Sequence, residues 1–534
     1  MKSLKILAVV VLTLLGMFVL GIFWGKNWVD RNLESVINAE PDRKYDFRFD
    51  QIEFDFFKKV ILISEVKIAP VGVPKGVFVE GRVLQVFLNN FSVLKLLLER
   101  ELEINELMFF QPEFVIYIPQ GNPTEEKAGE AMKSLFGDVL SRGGIENFQV
   151  GRANGVVMYG TDQVGSFSNF NLIATELHTD SLKWHYPIPF DYGRIVMSLD
   201  SLDYLLGNGQ HLKTGEISLD SHKEQFKLKN LRVTYSDDLK KVSQGMKFQT
   251  DLVQFRLDSL VLSGVEANSN LYSDLNVRAR KLEVAGLKLE DFRNKDLPRP
   301  KDEPKPLFQG MIGKITVPLK LDTLRITNAA FSYGETVAGK HESWRIHFNE
   351  LNGDLVNITT IPEIQSGFKY FEGNFTAKIE GNGSLKIKLK VPYDRDEFDL
   401  ELDFANFPMP KINQVLKPIM HGDIVSGDLV RMNMKIHGDP IKSTNTLRFD
   451  YTNLKIELFK NGTHKKNKLL SALANVAVNT SNLPAEKHYL TAHYSVVRNP
   501  NRGPFHLVWQ STKEGMMKIV PGAAVRSILK PSEK

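Results

Sequence analysis

The side chains able to do chemistry are few and scattered. His421-Gly422-Asp423 sets an imidazole beside a carboxylate, the pairing used in general acid–base catalysis. Gly422 and Gly427 surround it and an alternating run begins at Val430, so a turn before a strand is the plainer reading. His341 and His347 are close in sequence, yet the alternation of Trp344-Arg345-Ile346-His347-Phe348 places His347 with Arg345 on a polar strand face rather than against a metal. His464-Lys465-Lys466-Asn467-Lys468 is a basic loop suited to anionic headgroups, although most such runs are simply solvated. No phosphate loop, dinucleotide fingerprint, nucleophile elbow or paired-histidine zinc helix occurs. The absence of cysteine removes thiol catalysis, thiolate metal sites and disulfides. The expectation is a chain that is not an enzyme, with no catalytic residues, metal or cofactor.

The elements that would position a binding surface are more informative. The chain has 534 residues, enough for several cores or one elongated repetitive one. Its 68 Lys and Arg against 63 Asp and Glu leave +5, with no basic stripe, which argues against a nucleic-acid partner. From Tyr45 onward the dominant period is two. Leu385, Ile387, Leu389 and Val391 alternate with lysines, and Phe398, Leu400, Leu402 and Phe404 alternate with acids. An antiparallel pair with its loop at Asp394-Arg395 sets Lys390 opposite Asp399, Lys388 opposite Glu401 and Lys386 opposite Asp403. The one-sided pattern recurs in Val253, Phe255 and Leu257, in Val430, Met432, Met434 and Ile436, and in Leu447, Phe449 and Tyr451. Those from Leu385 onward are the candidate lining of an apolar groove. Alternation fixes a register, since a one-residue slip would wet every apolar side chain, but it does not say what covers the apolar face.

Ile6 to Trp24 is an apolar run preceded by Lys2 and Lys5. As a helix its 19 residues span about 28 Å, close to a bilayer's apolar thickness. The reading is an uncleaved transmembrane anchor carried by Ile6, Leu15, Phe18 and Trp24, with Trp24 and Trp28 at the far interface, rather than a signal peptide. The short tail is placed in the cytoplasm and the bulk of the chain in the periplasm of a two-membrane cell. Asn122 to Leu140 reads as an amphipathic helix, and shorter helices are expected at Ser92–Arg100, Lys411–Leu416 and Lys513–Leu529, the last broken by Pro521. The expected organisation is tail and anchor over 1–28, an opening unit over 29–120, a first β section over 121–295, a Pro-rich linker over 296–310 and a second β section over 311–534. Phe148-Gln-Val150-Gly-Arg-Ala153 and Leu324-Arg-Ile326-Thr-Asn-Ala329 suggest internal repetition, with Leu107-Met-Phe109-Phe-Gln-Pro112 a looser third copy.

The lone N-terminal anchor, Gly81-Arg-Val-Leu-Gln-Val-Phe-Leu88, Phe91-Ser-Val-Leu-Lys-Leu-Leu-Leu98 and Ile104 to Ile116 together resemble the opening unit of the AsmA-like family of bacterial envelope proteins, related to chorein-type bridge-like lipid transfer proteins. Gly427 to Gly438 followed by Leu447 to Ile456 is similar to that family's closing region. The resemblance covers about half the chain and carries over no catalytic residue. It implies a mainly β, elongated, curled antiparallel sheet (a trough, or taco) with a few short helices. It further implies binding or conduction of phospholipid, or another acyl-chain lipid, between the inner and outer membranes, with an outer-membrane or periplasmic partner protein. The competing reading is a non-enzymatic assembly or scaffolding factor for outer-membrane proteins whose β core is closed.

Overall fold

Alternation becomes strand after strand. The computed structural model describes residues 2–39, 41, 43–55, 57–72, 76–92, 95–99, 104–120, 135, 145–177, 192–266, 277–339, 342–420, 422–459, 471, 475 and 477–522. The protein is mainly β and divides into two compact units, Met1–Lys229 with Ala267–Asp274, and Asn230–Glu266 with Leu275–Lys534.

In the first unit, helix α1 (Lys2–Ile37) leads into β1 (Tyr45–Arg48), β2 (Gln51–Asp55), β3 (Val60–Pro70), β4 (Phe78–Asn89) and β5 (Glu106–Ile118). There follow β6 (Asn147–Tyr159), β7 (Asp162–Thr175), β8 (Arg194–Leu199), β9 (Ser201–Leu205), β10 (Gln210–Thr214), β11 (Ile217–Asp220) and β12 (Gln225–Tyr235), the last crossing into the second unit. Val29 and Leu33, one turn apart on α1, are fully buried in a core with Ile61, Val79 and Phe148. Asn38 ties the helix end to β1, donating to the Phe47 carbonyl at 2.8 Å and accepting from its N–H at 3.0 Å.

In the second unit, α2 (Leu239–Gln244) precedes β13 (Asp251–Ser263), β14 (Val277–Ala285) and β15 (Lys288–Arg293), and α3 (Phe308–Ile312) precedes β16 (Leu319–Thr336) and β17 (Ser343–Thr359). Then come α4 (Pro362–Phe368), β18 (Tyr370–Ile379), β19 (Asn382–Pro392), β20 (Phe398–Pro408), α5 (Asn413–Met420), β21 (Gly422–Gly438), β22 (Lys442–Leu458), β23 (Thr491–Val497) and α6 (Pro504–Ile519). The expected pairing of Lys390 with Asp399, Lys388 with Glu401 and Lys386 with Asp403 is present.

The sheet is mixed, which corrects the purely antiparallel expectation. β6 runs parallel to β5, and β16 parallel to both β14 and β15. Both junctions have long connections, 119–146 and 294–318, and a parallel pair needs a crossover of about a dozen residues or more. The Pro-rich 296–310 stretch lies inside the second unit, where Leu307 is fully buried and its N–H donates to Asp396 Oδ2 at 2.9 Å.

One irregularity recurs. Glu65, Gln111, Arg152, Asn328, Asn406 and Asn453 all have φ between 50° and 58° inside strands. Each stands two residues after one inward side chain and one before the next, as in Phe148, Val150 and then Ala153, so the inward phase advances by an extra residue. A left-handed residue in a strand makes a bulge that bends it and increases its twist. The proposed repeats share this detail. Asn171 Oδ1 accepts the Arg152 N–H at 2.9 Å and its Nδ2 donates to the Asn169 carbonyl. Asn352 does the same for the Asn328 N–H at 2.8 Å and the Glu350 carbonyl. Gly155 and Gly438 leave room for aromatic rings of paired strands: a Cβ there would lie 2.4 Å from Phe167 or Phe398.

The helices depart from expectation. Lys95–Glu99 forms a π-helical turn, and a 3-10 turn at Met409–Ile412 leads into α5, which carries Pro418 within it instead of stopping before it. α6 starts at Pro504, whose fixed φ suits a first helical turn, and ends before Pro521. The expected helix over Asn122 to Leu140 lies outside the described residues except for Leu135, which is helical and fully buried.

Candidate functional site

Register assembles the apolar residues of separate strands into continuous rows. In the second unit one row runs Leu260, Val284, Ile326, Gly353, Phe375, Ile387, Leu402, Met434, Leu447 and Ala492, each paired with the next. At about 4.8 Å per strand it crosses roughly 43 Å of sheet. The neighbouring row on the other face is polar: Glu283, Arg325, Asp354, Asn374, Lys388, Glu401, Lys435 and Thr446. Arg325 clasps Asp354 through Nε at 2.8 Å and Nη2 at 3.0 Å, and this hydrogen-bonded ion pair holds the Asp354 carboxyl below its usual range. Asp403 is gripped by Arg431, and Asp399 meets His437 Nδ1 at 2.9 Å. Exposed pairs like these favour register more than stability.

Cover is uneven along the apolar row. From Leu260 to Leu402 the side chains are half-buried, whereas Met434 and Leu447 are fully buried and Ala492 nearly so. The closed part lies under α6: Leu507 and Ile519 reach into the core, Ser511 Oγ meets Ser443 Oγ at 2.8 Å, and Thr512 Oγ1 lies 3.2 Å from Met434 Sδ. Phe308 packs edge-on against Phe398 at 5.1 Å. In the first unit a row runs from Ile52 through Ile63, Val86, Phe109, Val150, Leu172, Met197 and Leu219 to Phe226. Ile63 to Val150 are buried and Leu172 to Phe226 half-buried. Each unit therefore carries an apolar face that is covered at one side and half-open at the other.

Most expected lining residues sit on the covered side. Leu385, Val391, Phe398, Leu400, Phe404, Met432, Met434, Ile436, Leu447, Phe449 and Tyr451 are buried, and Ile387, Leu389 and Leu402 are half-buried. Val430 is a correction: it is 44% exposed, because a register shift between Leu429 and Arg431 gives the inward position to Leu429. The half-open residues Leu260, Leu282, Val284, Leu324 and Ile326, outside the expected lining, belong to the same rows.

Between Met17 and Trp24 the described side chains of α1 are all apolar. Met17, Val19, Leu20, Phe23 and Trp24 are 55% to 71% exposed and, at 100° per residue, fall within an arc of about 160°, so they form one broad apolar face. Trp28 is half-buried against the core. The side chains of Ile6, Leu15 and Phe18 lie outside the described residues, among which no helix is long and apolar enough to cross a membrane.

Of the polar candidates, His347 Nδ1 lies 3.2 Å from Glu380 on the polar face, and Asp423 pairs with Lys417 at 3.0 Å. His341, His421 and the 464–468 loop lie outside the described residues, which contain no cluster of three or more potential metal ligands. No family model matches this chain, and no curated protein is significantly similar to it.

Proposed function

We propose that this chain is a membrane-anchored protein that binds acyl-chain lipids on its half-open β face and conveys phospholipid between the inner and outer membranes. The observation that carries the reading is the set of half-buried apolar rows backed by a polar, ion-paired face. Water is a poor covering for such a face. A CH₂ removed from water contributes about 0.8 kcal/mol, so a 16-carbon chain half-covered by the sheet gains on the order of 6 kcal/mol. Continuity across strands lets a tail move from one side chain to the next while staying covered. The exposed apolar face of α1 from Met17 to Trp24 supports the anchor, and the resemblance to AsmA-like proteins supports the cargo class. A closed scaffold is favoured only where α6 seals the face.

Leu324→Glu and Ile387→Glu place a charge on the half-open face, and Arg325→Glu changes charge on the opposite one. The first two are expected to remove co-purifying phospholipid from folded full-length protein and the third to leave it. Equal lipid content in all three would defeat the proposal.

A further inference from the structure

The apolar face of β13, β15, β16 and β17 carries one charged cluster. Arg293 binds both oxygens of Asp251, Lys295 Nζ meets Glu335 Oε1, and Tyr333 Oη donates to Glu335 Oε2 at 2.9 Å. Asp291 stands between them, paired in register with Val253 on one side and Tyr333 on the other. Its Oδ1 is shielded from solvent and has no hydrogen-bond partner. Around the cluster the face is greasy: Phe255, Leu289, Phe331 and Phe348 are half-buried and follow one another in register. Trp344 meets Tyr333 edge-on at 5.7 Å.

Three carboxylates, Asp251, Asp291 and Glu335, against two cations, Arg293 and Lys295, leave one net negative charge. Both cations are already paired, so the unmet need is a donor carrying one positive charge. A solvent-shielded carboxylate oxygen without a donor is costly, and an N–H⁺ group with an apolar tail would satisfy both the oxygen and the surrounding face. The rings of Tyr333 and Trp344 add a surface that attracts cations. We propose that this cluster is a headgroup subsite for an amphiphile bearing a primary ammonium, its tail lying along Leu289, Phe331 and Phe348. The inference rests on the lipid-binding reading of the face and adds its head selectivity.

Dodecylamine, dodecanol and dodecanoate share one tail and differ only in head, so they separate the two ideas when titrated into full-length protein in a neutral detergent. Dodecylamine is expected to bind about tenfold more tightly than dodecanol, with dodecanoate weakest. Asp291→Asn should bring dodecylamine to the level of dodecanol, while Asp399→Asn on the polar face leaves the ratio unchanged. Asp291→Ser, with the unfolding midpoint of each variant measured, supplies a second replacement should the amide disturb folding. Equal binding of the three heads, or an amine preference that survives both Asp291 variants, overturns the subsite while leaving the apolar face intact. Binding of none overturns the lipid-binding reading and the subsite with it.

Discussion

The seal over the C-terminal part of the second unit depends on a helical glycine. Gly515 lies on the buried stripe of α6 with Leu507, Ser511 and Ile519. A Cβ at Gly515 would stand 2.2 Å from Tyr494 Oη and 2.6 Å from Leu447 Cδ2. Leu447 is fully buried, and Tyr494 Oη donates to the Ser511 carbonyl, so neither neighbour can simply swing away. Gly515→Ala thus combines opposing effects. Helix propensity favours alanine by about 1 kcal/mol. Overpacking costs roughly 1 to 3 kcal/mol, and displacing Tyr494 from a half-buried hydrogen bond adds about 1 kcal/mol or more. The net expectation is a loss of about 2 kcal/mol. Gly21 in α1 is the control, since nothing lies within 4 Å of its Cβ position; there only the propensity gain should remain. Thermal unfolding of full-length protein in detergent reads both. Gly515→Ala should lower the midpoint of the C-terminal transition and Gly21→Ala should not. A Gly515→Ala protein as stable as the parent would refute the close packing of α6 on β22 and β23.

Three further outcomes follow from the same reasoning. Asn352→Ala leaves the Asn328 N–H and the Glu350 carbonyl of the bulge without their bridge, and should cost about 1 to 2 kcal/mol in denaturant unfolding. Asn482 is fully buried, donates to the Phe449 and Leu490 carbonyls and accepts the Leu490 N–H, so Asn482→Leu should cost about 3 kcal/mol or more and loosen β22 in hydrogen exchange. Burial, reinforced by the Asp251 charge and opposed by Arg293, pushes the Asp291 carboxyl up to about 6. The folded state then holds a proton that the unfolded chain releases near pH 4, so this group's contribution becomes less favourable as pH rises from about 4 to 6. Asp291→Asn should flatten that slope of unfolding free energy against pH, and an unchanged slope would contradict the assignment.

What could be read from the sequence divides along physical lines. Charge alternation told the register of β19 and β20, because Lys386, Lys388 and Lys390 face Asp403, Glu401 and Asp399 in only one alignment. Strand direction was invisible, since a period of two is the same for parallel β5 and β6 as for an antiparallel pair. Unbroken alternation places Val430 inward, but the bulge between Leu429 and Arg431 turns it out. The signal for such bulges is present as an inward phase advancing by three residues after a left-handed Asn, Glu, Gln or Arg, but it needs dihedral angles to be recognised. Apolar spacing alone starts α6 at Lys513, nine residues late, because Phe505 and Trp509, 71% and 52% exposed, put apolar side chains on its outer face and blur its amphipathic pattern. The cleanest alternation marks the covered side of the sheet; the half-open strands carry more mixed sequence. One-faced alternation identifies an apolar surface without telling whether a helix lies over it.

Site-specific photo-crosslinking in cells tests the central claim most directly. A benzophenone amino acid at Ile326 or Ile387, on the half-open row, is predicted to capture phospholipid, while the same probe at Arg325 or Lys388 on the opposite face, or at sealed Met434, is not. Capture that is absent at Ile326 and Ile387, or equal on both faces, would contradict the account.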